Sequence, residues 1–124
     1  MDPIAEMFSQ IYNAQQSGIE EVTVGYSKIK MAILEILKKA AKVADFRQIS
    51  IQSFKTIEIK LALSGKWQAR KISKPSRRVY ASNCKIPQPK TYQGLVIIST
   101  NEGIMVGEEA RKKGLGGEII AEVS

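Results

Sequence analysis

The chain has 124 residues, and 44% of them are hydrophobic, which excludes a disordered tail and suffices for one domain or two small lobes. It carries 19 Lys and Arg against 12 Asp and Glu, so its formal charge of +7 indicates a polyanionic partner: RNA, DNA or an anionic membrane surface. The absence of histidine and the single cysteine argue against an enzyme or a metal site and fit a reducing compartment without internal disulfides.

The positive charge is concentrated in the second half of the chain. Residues 1–60 contain eight Lys and Arg against seven Asp and Glu, whereas residues 61–124 contain eleven against five. No acid occurs between Glu58 and Glu102. Such a run can be a solvated surface that keeps the protein soluble, but its length favours a binding face.

Two helices and a short strand between them are predicted first. The opening helix begins at Asp2-Pro3, because Asp accepts from free N–H groups of the first turn and Pro suits the first helical position. It ends near Ser17-Gly18, and a strand follows around residues 22–24. Ser27 caps a second helix that is expected to reach about Lys42. The residues expected on its buried face are Ile29, Ile33, Ile36, Leu37 and Ala40.

Two more strands, at residues 45–52 and 57–63, complete the first lobe. A hairpin turn near residues 52–55 joins them, and the out-of-phase apolar residues of the first strand predict a β-bulge. Residues 1–63 are therefore predicted to form an N-terminal α-β-α-β-β lobe, and Ser64-Gly65-Lys66 is the expected boundary.

The second lobe, residues 67–124, is predicted to be mostly antiparallel β with one short helix, which makes the chain an α+β protein of two small lobes. Pro75 sets a turn between its first two strands. The predicted strands are 69–72, 77–81, 95–99, 104–106 and 116–123, and the helix is 107–113.

The turn between the third and fourth of these strands carries three consecutive small polar side chains: Ser99, Thr100 and Asn101, followed by Glu102 and Gly103. Small polar groups can enter the shallow minor groove of RNA, which displays 2′-hydroxyls and base edges. The same residue types also make an ordinary hairpin turn, so both interpretations stay open.

A basic cluster and an aromatic residue precede this turn. The basic side chains can contact phosphates or simply solvate the surface, and those beside Pro75 would be presented together. Tyr80 can stack or bond to ribose, or it can be a core aromatic with a wet edge. The cluster consists of Arg70, Lys71, Lys74, Arg77, Arg78, Lys85 and Lys90.

Two features of the last strand need separate interpretations. Glu118 can hold a turn hydroxyl or accept from a base amino group, or it can be an ordinary exposed carboxylate. Gly116-Gly117 is not a phosphate loop, because no Lys-Ser/Thr follows and a strand comes next.

Four segments that span nearly the whole chain share one resemblance. They are DPIAEM at residues 2–7, SKIK at 27–30, ISKPSRRVY at 72–80 and the stretch 95–123 that contains ISTNEGIM and GLGGE. Together they resemble the bacterial-type small-subunit ribosomal protein eight family.

This resemblance implies a two-lobe protein that binds the central-domain RNA of the small ribosomal subunit directly, early in assembly, without a cofactor or a membrane. It implies that Ser99, Thr100 and Asn101 enter the RNA minor groove, that Tyr80 contacts the RNA backbone and that Glu118 supports the turn or joins its contact with RNA. The implied partners are small-subunit ribosomal RNA, neighbouring small-subunit proteins with ribosomal protein five as a candidate, and in some members their own messenger RNA. The implied location is the ribosome, in the cytoplasm or in an organelle.

The chain departs from the family pattern at several positions. Asn101 stands where the family usually has Ser, and Glu102 where a cation or a small polar residue is frequent. Gln10 and Tyr12 replace arginines of the opening helix, and Val106-Gly107 replaces a capping Thr-Asp. We expect a divergent member that relies on residues 66–90 for affinity. The alternatives are a stand-alone RNA-binding translational regulator and, from another class, a basic enzyme that uses carboxylates.

Overall fold

A computed structural model describes residues 2–62, 67–89 and 94–124. The chain divides into two compact units, Pro3–Trp67 and Gln68–Ser124, the second of which includes Asp2. Each unit has its own antiparallel sheet, so the predicted α+β class with two lobes is confirmed. The boundary expected at residues 64–66 lies outside the described residues. None of the described helices has the length and hydropathy of a membrane-spanning segment.

The first unit has the predicted α-β-α-β-β order. The elements are α1 (Pro3–Ser17), β1 (Glu21–Gly25), α2 (Lys28–Lys39), β2 (Val43–Ile51) and β3 (Phe54–Leu61). The sheet has the order β1-β3-β2. The bulge that the out-of-phase Phe46 and Ile49 predict does not lie at these residues, where pairing with β3 is regular; the register shift lies at the start of β2, between Val43 and Asp45.

Trp67 belongs to this unit: its indole N–H donates to the Lys42 carbonyl (2.7 Å) and its backbone N–H to the side chain of Gln15 (2.9 Å).

The buried face of α2 differs from the predicted one. Ile29 is 49% exposed, whereas Lys30 is buried and its ammonium donates to the carbonyl of Gly25 (3.0 Å). The prediction placed Ile29 inward because its side chain is apolar, but the helical period of the other buried residues selects position 30, where a long aliphatic stem can pack. The buried residues of α2 are Lys30, Ile33, Leu34 and Leu37.

The described α-helices end in the same way, with a residue of positive φ just after the last turn. Gly18 follows α1 with φ 73°, as predicted, whereas Ala41 takes this position after α2 with φ 60°. The N–H of Lys42 donates to the carbonyl of Leu37 and the N–H of Ala41 to that of Lys38, which is the Schellman arrangement. Because alanine gives no sequence signal for this ending, the prediction carried α2 three residues too far, to Lys42.

The second unit is a five-stranded antiparallel sheet with one short α-helix, as predicted. The elements are β4 (Ala69–Lys71), β5 (Tyr80–Ala81), a 3₁₀ turn (Asn83–Lys85), β6 (Leu95–Thr100), β7 (Gly103–Val106), α3 (Gly107–Lys112) and β8 (Gly117–Val123). The strand order is β4-β8-β6-β7, and β5 also pairs with β8. The buried core of this unit includes Ile98 of β6, Met105 of β7 and Ala110 of α3.

The strand predicted at residues 77–81 is shorter in the structure. Only Tyr80 and Ala81 pair with β8, while Arg77 pairs back with Lys74 in an isolated bridge. The N–H of each of these two residues donates to the carbonyl of the other, at 2.8 and 2.9 Å. The tight turn through Pro75 therefore takes the backbone groups that would otherwise have extended β5.

Candidate nucleic-acid interface

Three of the predicted site residues lie in one row across the second sheet. Tyr80 of β5 is the register partner of Glu118 in β8, and Glu118 is the partner of Ser99 in β6. Directly opposed residues of antiparallel strands share a face of the sheet, so these three form a continuous set that we call the polar row. Residues far apart in sequence are brought together by strand pairing alone.

Tyr80 is not a core residue. Its residue surface is 69% exposed. The ring lies at the edge of the sheet, where it can stack on a base or contact a ribose. The interpretation of Tyr80 as a core aromatic is therefore wrong.

The turn at the end of the polar row is closed by the hydroxyl of Thr100. This hydroxyl donates to the carbonyl of Gly103 (2.8 Å) and accepts from the N–H of Glu102 (3.1 Å). Asn101 and Glu102 form the two-residue loop, and Gly103 adopts a φ of 119°, which few other residues tolerate. Thr100 thus shapes the turn, and its hydroxyl proton is already engaged in the hydrogen bond to Gly103.

The side chains on either side of Thr100 have their hydrogen-bonding groups available. Among residues 94–124 and the other described segments, no hydrogen bond engages the hydroxyl of Ser99 or the amide of Asn101. Ser99 is half-buried beside Glu118, and Asn101 is exposed at the tip. These two side chains offer both donors and acceptors to a minor-groove edge.

Two arginines of the basic cluster are paired with carboxylates of β8. A guanidinium nitrogen of Arg78 lies 3.2 Å from Glu118, and one of Arg70 lies 3.0 Å from Glu122. Both arginine side chains remain more than half exposed, so each keeps N–H groups that can reach a phosphate. The carboxylates orient these arginines and lower the net positive charge that the sheet presents.

Lys71 does not fit the predicted role of a phosphate contact. Its side chain is only 9% exposed, and its ammonium lies 3.2 Å from the carboxylate of Asp2 and also donates to the carbonyl of Ser73. A phosphate would have to displace a largely buried ion pair, which is costly. The sequence pattern marked Lys71 by charge alone and gave no sign of its burial.

Lys74 and Arg77 are the exposed members of the cluster in the turn through Pro75. Neither forms an ion pair with another described residue, and the two flank the turn tip. Lys85 is exposed at the end of the 3₁₀ turn, while Lys90 lies outside the described residues. The described cations of the cluster that are exposed and form no ion pair with another described residue are therefore Lys74, Arg77 and Lys85.

The glycine pair at the start of β8, Gly116 and Gly117, has a packing role that the sequence analysis did not predict. A Cβ on Gly117 would lie 2.0 Å from the carbonyl oxygen of Ser99, and one on Gly116 would lie 2.6 Å from that of Ala81. Side chains at these positions would separate β8 from β6 and β5, and so break the polar row. Two adjacent glycines at the start of a predicted strand were the sequence signal that could have indicated this close approach of backbones.

The comparisons with known proteins agree with one another. The family model for ribosomal protein S8 matches residues 2–124. The chain belongs to the ribosomal protein S8 family. A relative named small ribosomal subunit protein uS8 from Kosmotoga olearia is 38% identical. The match covers 98% of this chain and 97% of the relative. Relatives of the same name are 40% identical in Corynebacterium jeikeium (98% and 96% covered) and 42% in Mycoplasma capricolum (97% and 95%).

The resemblance deduced from the four sequence segments is thereby confirmed, and membership of the S8 family makes the protein a ribosomal component rather than an enzyme. Among the described residues, no group of three Cys, Asp or Glu side chains is arranged as metal ligands would be. The departure at Val106-Gly107 has a structural consequence in this S8-family chain: Val106 precedes α3 without a side-chain hydrogen bond to cap it.

Proposed function

We propose that this protein is a structural component of the small ribosomal subunit that binds the central domain of the small-subunit ribosomal RNA directly and supports its assembly. The observation that carries this proposal is the polar row of Tyr80, Glu118 and Ser99, which continues into the Thr100–Gly103 turn. Membership of the S8 family supports the ribosomal assignment, since the relatives at 38–42% identity carry a small-subunit name.

The turn and the row supply the contacts that specify the RNA. An A-form helix exposes a wide, shallow minor groove lined with 2′-hydroxyls, and small side chains can reach it where long ones cannot. Ser99 and Asn101 are the groups with free donors and acceptors, while Thr100 holds them in place through its bonds to Gly103 and Glu102. Specificity therefore comes from hydrogen bonds that require one arrangement of the turn.

Phosphate contacts supply most of the affinity. Lys74 and Arg77, and the exposed N–H groups of Arg70 and Arg78, attract the RNA backbone without regard to sequence. Tyr80 contacts the sugar–phosphate backbone beside them from the edge of the sheet. The acids of β8 oppose non-specific binding, so the surface favours an RNA that satisfies both the turn and the cations.

Glu118 connects the two kinds of contact. Its carboxylate lies between Ser99 and Tyr80 in the row and pairs with Arg78 through one oxygen. The other oxygen can accept from the Ser99 hydroxyl, from a 2′-hydroxyl or from a base amino group. In this proposal Glu118 supports the turn and holds Arg78 at the same time.

The proposal extends to partners and location. Neighbouring small-subunit proteins are expected partners, with ribosomal protein five as the first candidate, and binding to the protein's own messenger RNA would use the same surface. The expected location is a cytoplasmic ribosome, with an organellar ribosome as the alternative. A stand-alone RNA-binding translational regulator remains the alternative, because the polar row does not by itself require a ribosome.

Two experiments test the proposal. Sedimentation of a cell extract should place the protein with small ribosomal subunits; a protein that stays in light fractions while it still binds an RNA stem is the regulator instead. RNA crosslinking with peptide mapping in purified small subunits should label peptides 74–80 and 99–103, together with central-domain RNA. Crosslinks confined to the first unit would overturn the assignment of the interface.

A further inference from the structure

Ser73 occupies an unusual position for a hydroxyl residue. Its residue surface is fully buried, although serine is mostly exposed in proteins. The hydroxyl donates to the carbonyl of Val79 (3.2 Å) and accepts from the N–H of Val79 (2.8 Å). Ser73 comes just before Lys74 and Val79 just after Arg78, so one side chain closes the base of the loop formed by residues 74–78.

The hydroxyl is needed because the backbone of this segment is used elsewhere. The N–H groups of Ile72 and Ser73 donate to the carbonyls of Ile120 and Ile119 in β8, at 3.0 and 3.2 Å. Among the described residues, no backbone carbonyl accepts from the N–H of Val79, and the carbonyl of Ser73 accepts instead from the ammonium of Lys71. Within the described part of the chain, the N–H of Val79 donates only to the Ser73 hydroxyl. An alanine at position 73 would leave this N–H without a hydrogen-bond acceptor.

The tip of the same loop is closed separately. Lys74 and Arg77 exchange two backbone hydrogen bonds, and Pro75 between them has a fixed φ. The tip is thus a rigid unit that carries two exposed cations. Its orientation relative to β8 is set at the base of the loop. There the carbonyl of Val79 accepts from the N–H of Ile119 (2.8 Å), and the two bonds of the Ser73 hydroxyl hold Val79 against Ser73.

We propose that Ser73 is a positioning residue for RNA binding: its buried hydroxyl fixes the loop so that Lys74 and Arg77 meet successive backbone phosphates. Ser73 itself cannot touch RNA, because it has no exposed surface. The inference rests on the proposed function, and it deepens it by assigning the orientation of the phosphate contacts to a residue outside the contact surface.

The test begins with three variants of the full chain. Ser73→Ala removes both bonds, Ser73→Cys keeps the size with a weaker donor and acceptor, and Ser73→Thr keeps the hydroxyl. We expect Ser73→Ala to weaken binding to a central-domain RNA stem by about 5- to 10-fold, because a displaced Lys74 or Arg77 no longer contacts its phosphate. The slope of log K against log salt should fall by about one to two. Ser73→Cys should be intermediate, and Ser73→Thr should restore both readouts.

A double-mutant comparison separates positioning from general stability. In the Lys74→Ala/Arg77→Ala background, Ser73→Ala should cost less than about 2-fold, since its targets are gone. In the Ser99→Ala background the full loss should persist. Thermal melting must show every variant folded at the assay temperature, and amide exchange of Val79 should accelerate in Ser73→Ala. If Ser73→Thr fails to fold, comparison of Ser73→Ala in the Lys74→Ala/Arg77→Ala and Ser99→Ala backgrounds still distinguishes positioning from general stability.

The outcomes distinguish this inference from the proposed function. An equal loss in both backgrounds, or a lowered melting temperature with an unchanged salt slope, would show that Ser73 is only structural. Phosphate contacts are independent of sequence, so the slope can be measured on any RNA stem. If the unmodified protein does not prefer the central-domain stem, the proposed function fails while the coupling of Ser73 to Lys74 and Arg77 is still tested.

Discussion

Glu118 and Arg78 form an ion pair on the face of the sheet that carries the polar row, with 3.2 Å between Oε2 of Glu118 and Nη1 of Arg78. The pair places a negative charge inside a surface that binds a polyanion. Glu118→Gln should therefore raise the affinity for unrelated RNA, because repulsion of phosphates is removed. It should also lower the preference for the specific stem by about 1–3 kcal/mol, because the turn and Arg78 lose their support. Filter binding with both RNAs measures this.

Glu122→Gln is the matched control for this change. Glu122 lies on the same strand and pairs with an arginine, Arg70, at 3.0 Å, but it is outside the polar row. The same gain in charge should raise the affinity for both RNAs equally. An equal rise for both RNAs in Glu118→Gln as well would mean that Glu118 contributes repulsion and no specificity.

Thr100→Ala should weaken binding to the specific stem by about 1–3 kcal/mol, since the turn loses the hydroxyl that accepts from Glu102 and donates to Gly103. Thr100→Ser keeps both bonds and should bind within about 0.5 kcal/mol of the unmodified protein. Titration calorimetry with the stem provides the measurement. A matching loss on an unrelated stem would show that the turn does not specify the RNA.

The sequence predicted the secondary structure well where a local signal existed. Gly18 predicts the end of α1 correctly, because glycine readily adopts positive φ. Ala41 adopts a similar conformation after α2, but alanine gives no such signal in the sequence. Ile29 was placed inward by its apolar side chain, whereas Lys30 is the buried residue. Local residue types do not show which of two neighbouring positions the tertiary core selects.

The candidate site was predicted residue by residue but not as an arrangement. Tyr80, Glu118 and Ser99 were each singled out, yet their common row depends on strand register, which one sequence does not reveal. For the same reason the burial of Lys71 and the bonds of Ser73 escaped prediction, since both depend on residues brought close by folding. Charge and residue type identify candidate residues, and strand pairing determines which of them lie where they can contact RNA.

Arg77→Ala should lower the affinity for every RNA and reduce the salt slope by about one, as expected for one lost phosphate contact. Arg77 is exposed at the turn tip, so its removal should leave the melting temperature nearly unchanged. Lys112→Ala is the control: this lysine of α3 is also exposed, but it pairs with Glu108 and lies outside the cluster. A slope that is unchanged in Arg77→Ala would remove Arg77 from the phosphate contacts.

The pKa of Asp45 lies below its usual range, because the carboxylate accepts a hydrogen bond from Lys38 and another from the N–H of Phe46. Since folding lowers this pKa, the stabilising effect is complete above the usual Asp pKa and is lost as the pH falls through the lowered value. Lys38→Ala should raise the pKa towards its usual range, as NMR titration of the carboxyl carbon would show. Lys39→Ala should leave the pKa of Asp45 unchanged. An unchanged titration midpoint of Asp45 in Lys38→Ala would show that Lys38 does not lower this pKa.

Gly117→Ala should destabilise the second unit by about 3 kcal/mol, the upper range for forcing an extra group into a packed site. The added Cβ would lie 2.0 Å from the carbonyl oxygen of Ser99, so β6 and β8 must separate at the polar row. Gly25→Ala is the matched control, because a Cβ there meets nothing within 4 Å. Urea unfolding should show the loss only in Gly117→Ala, together with loss of stem binding. Equal stability of the two variants would mean that the approach of β8 to β6 does not require glycine.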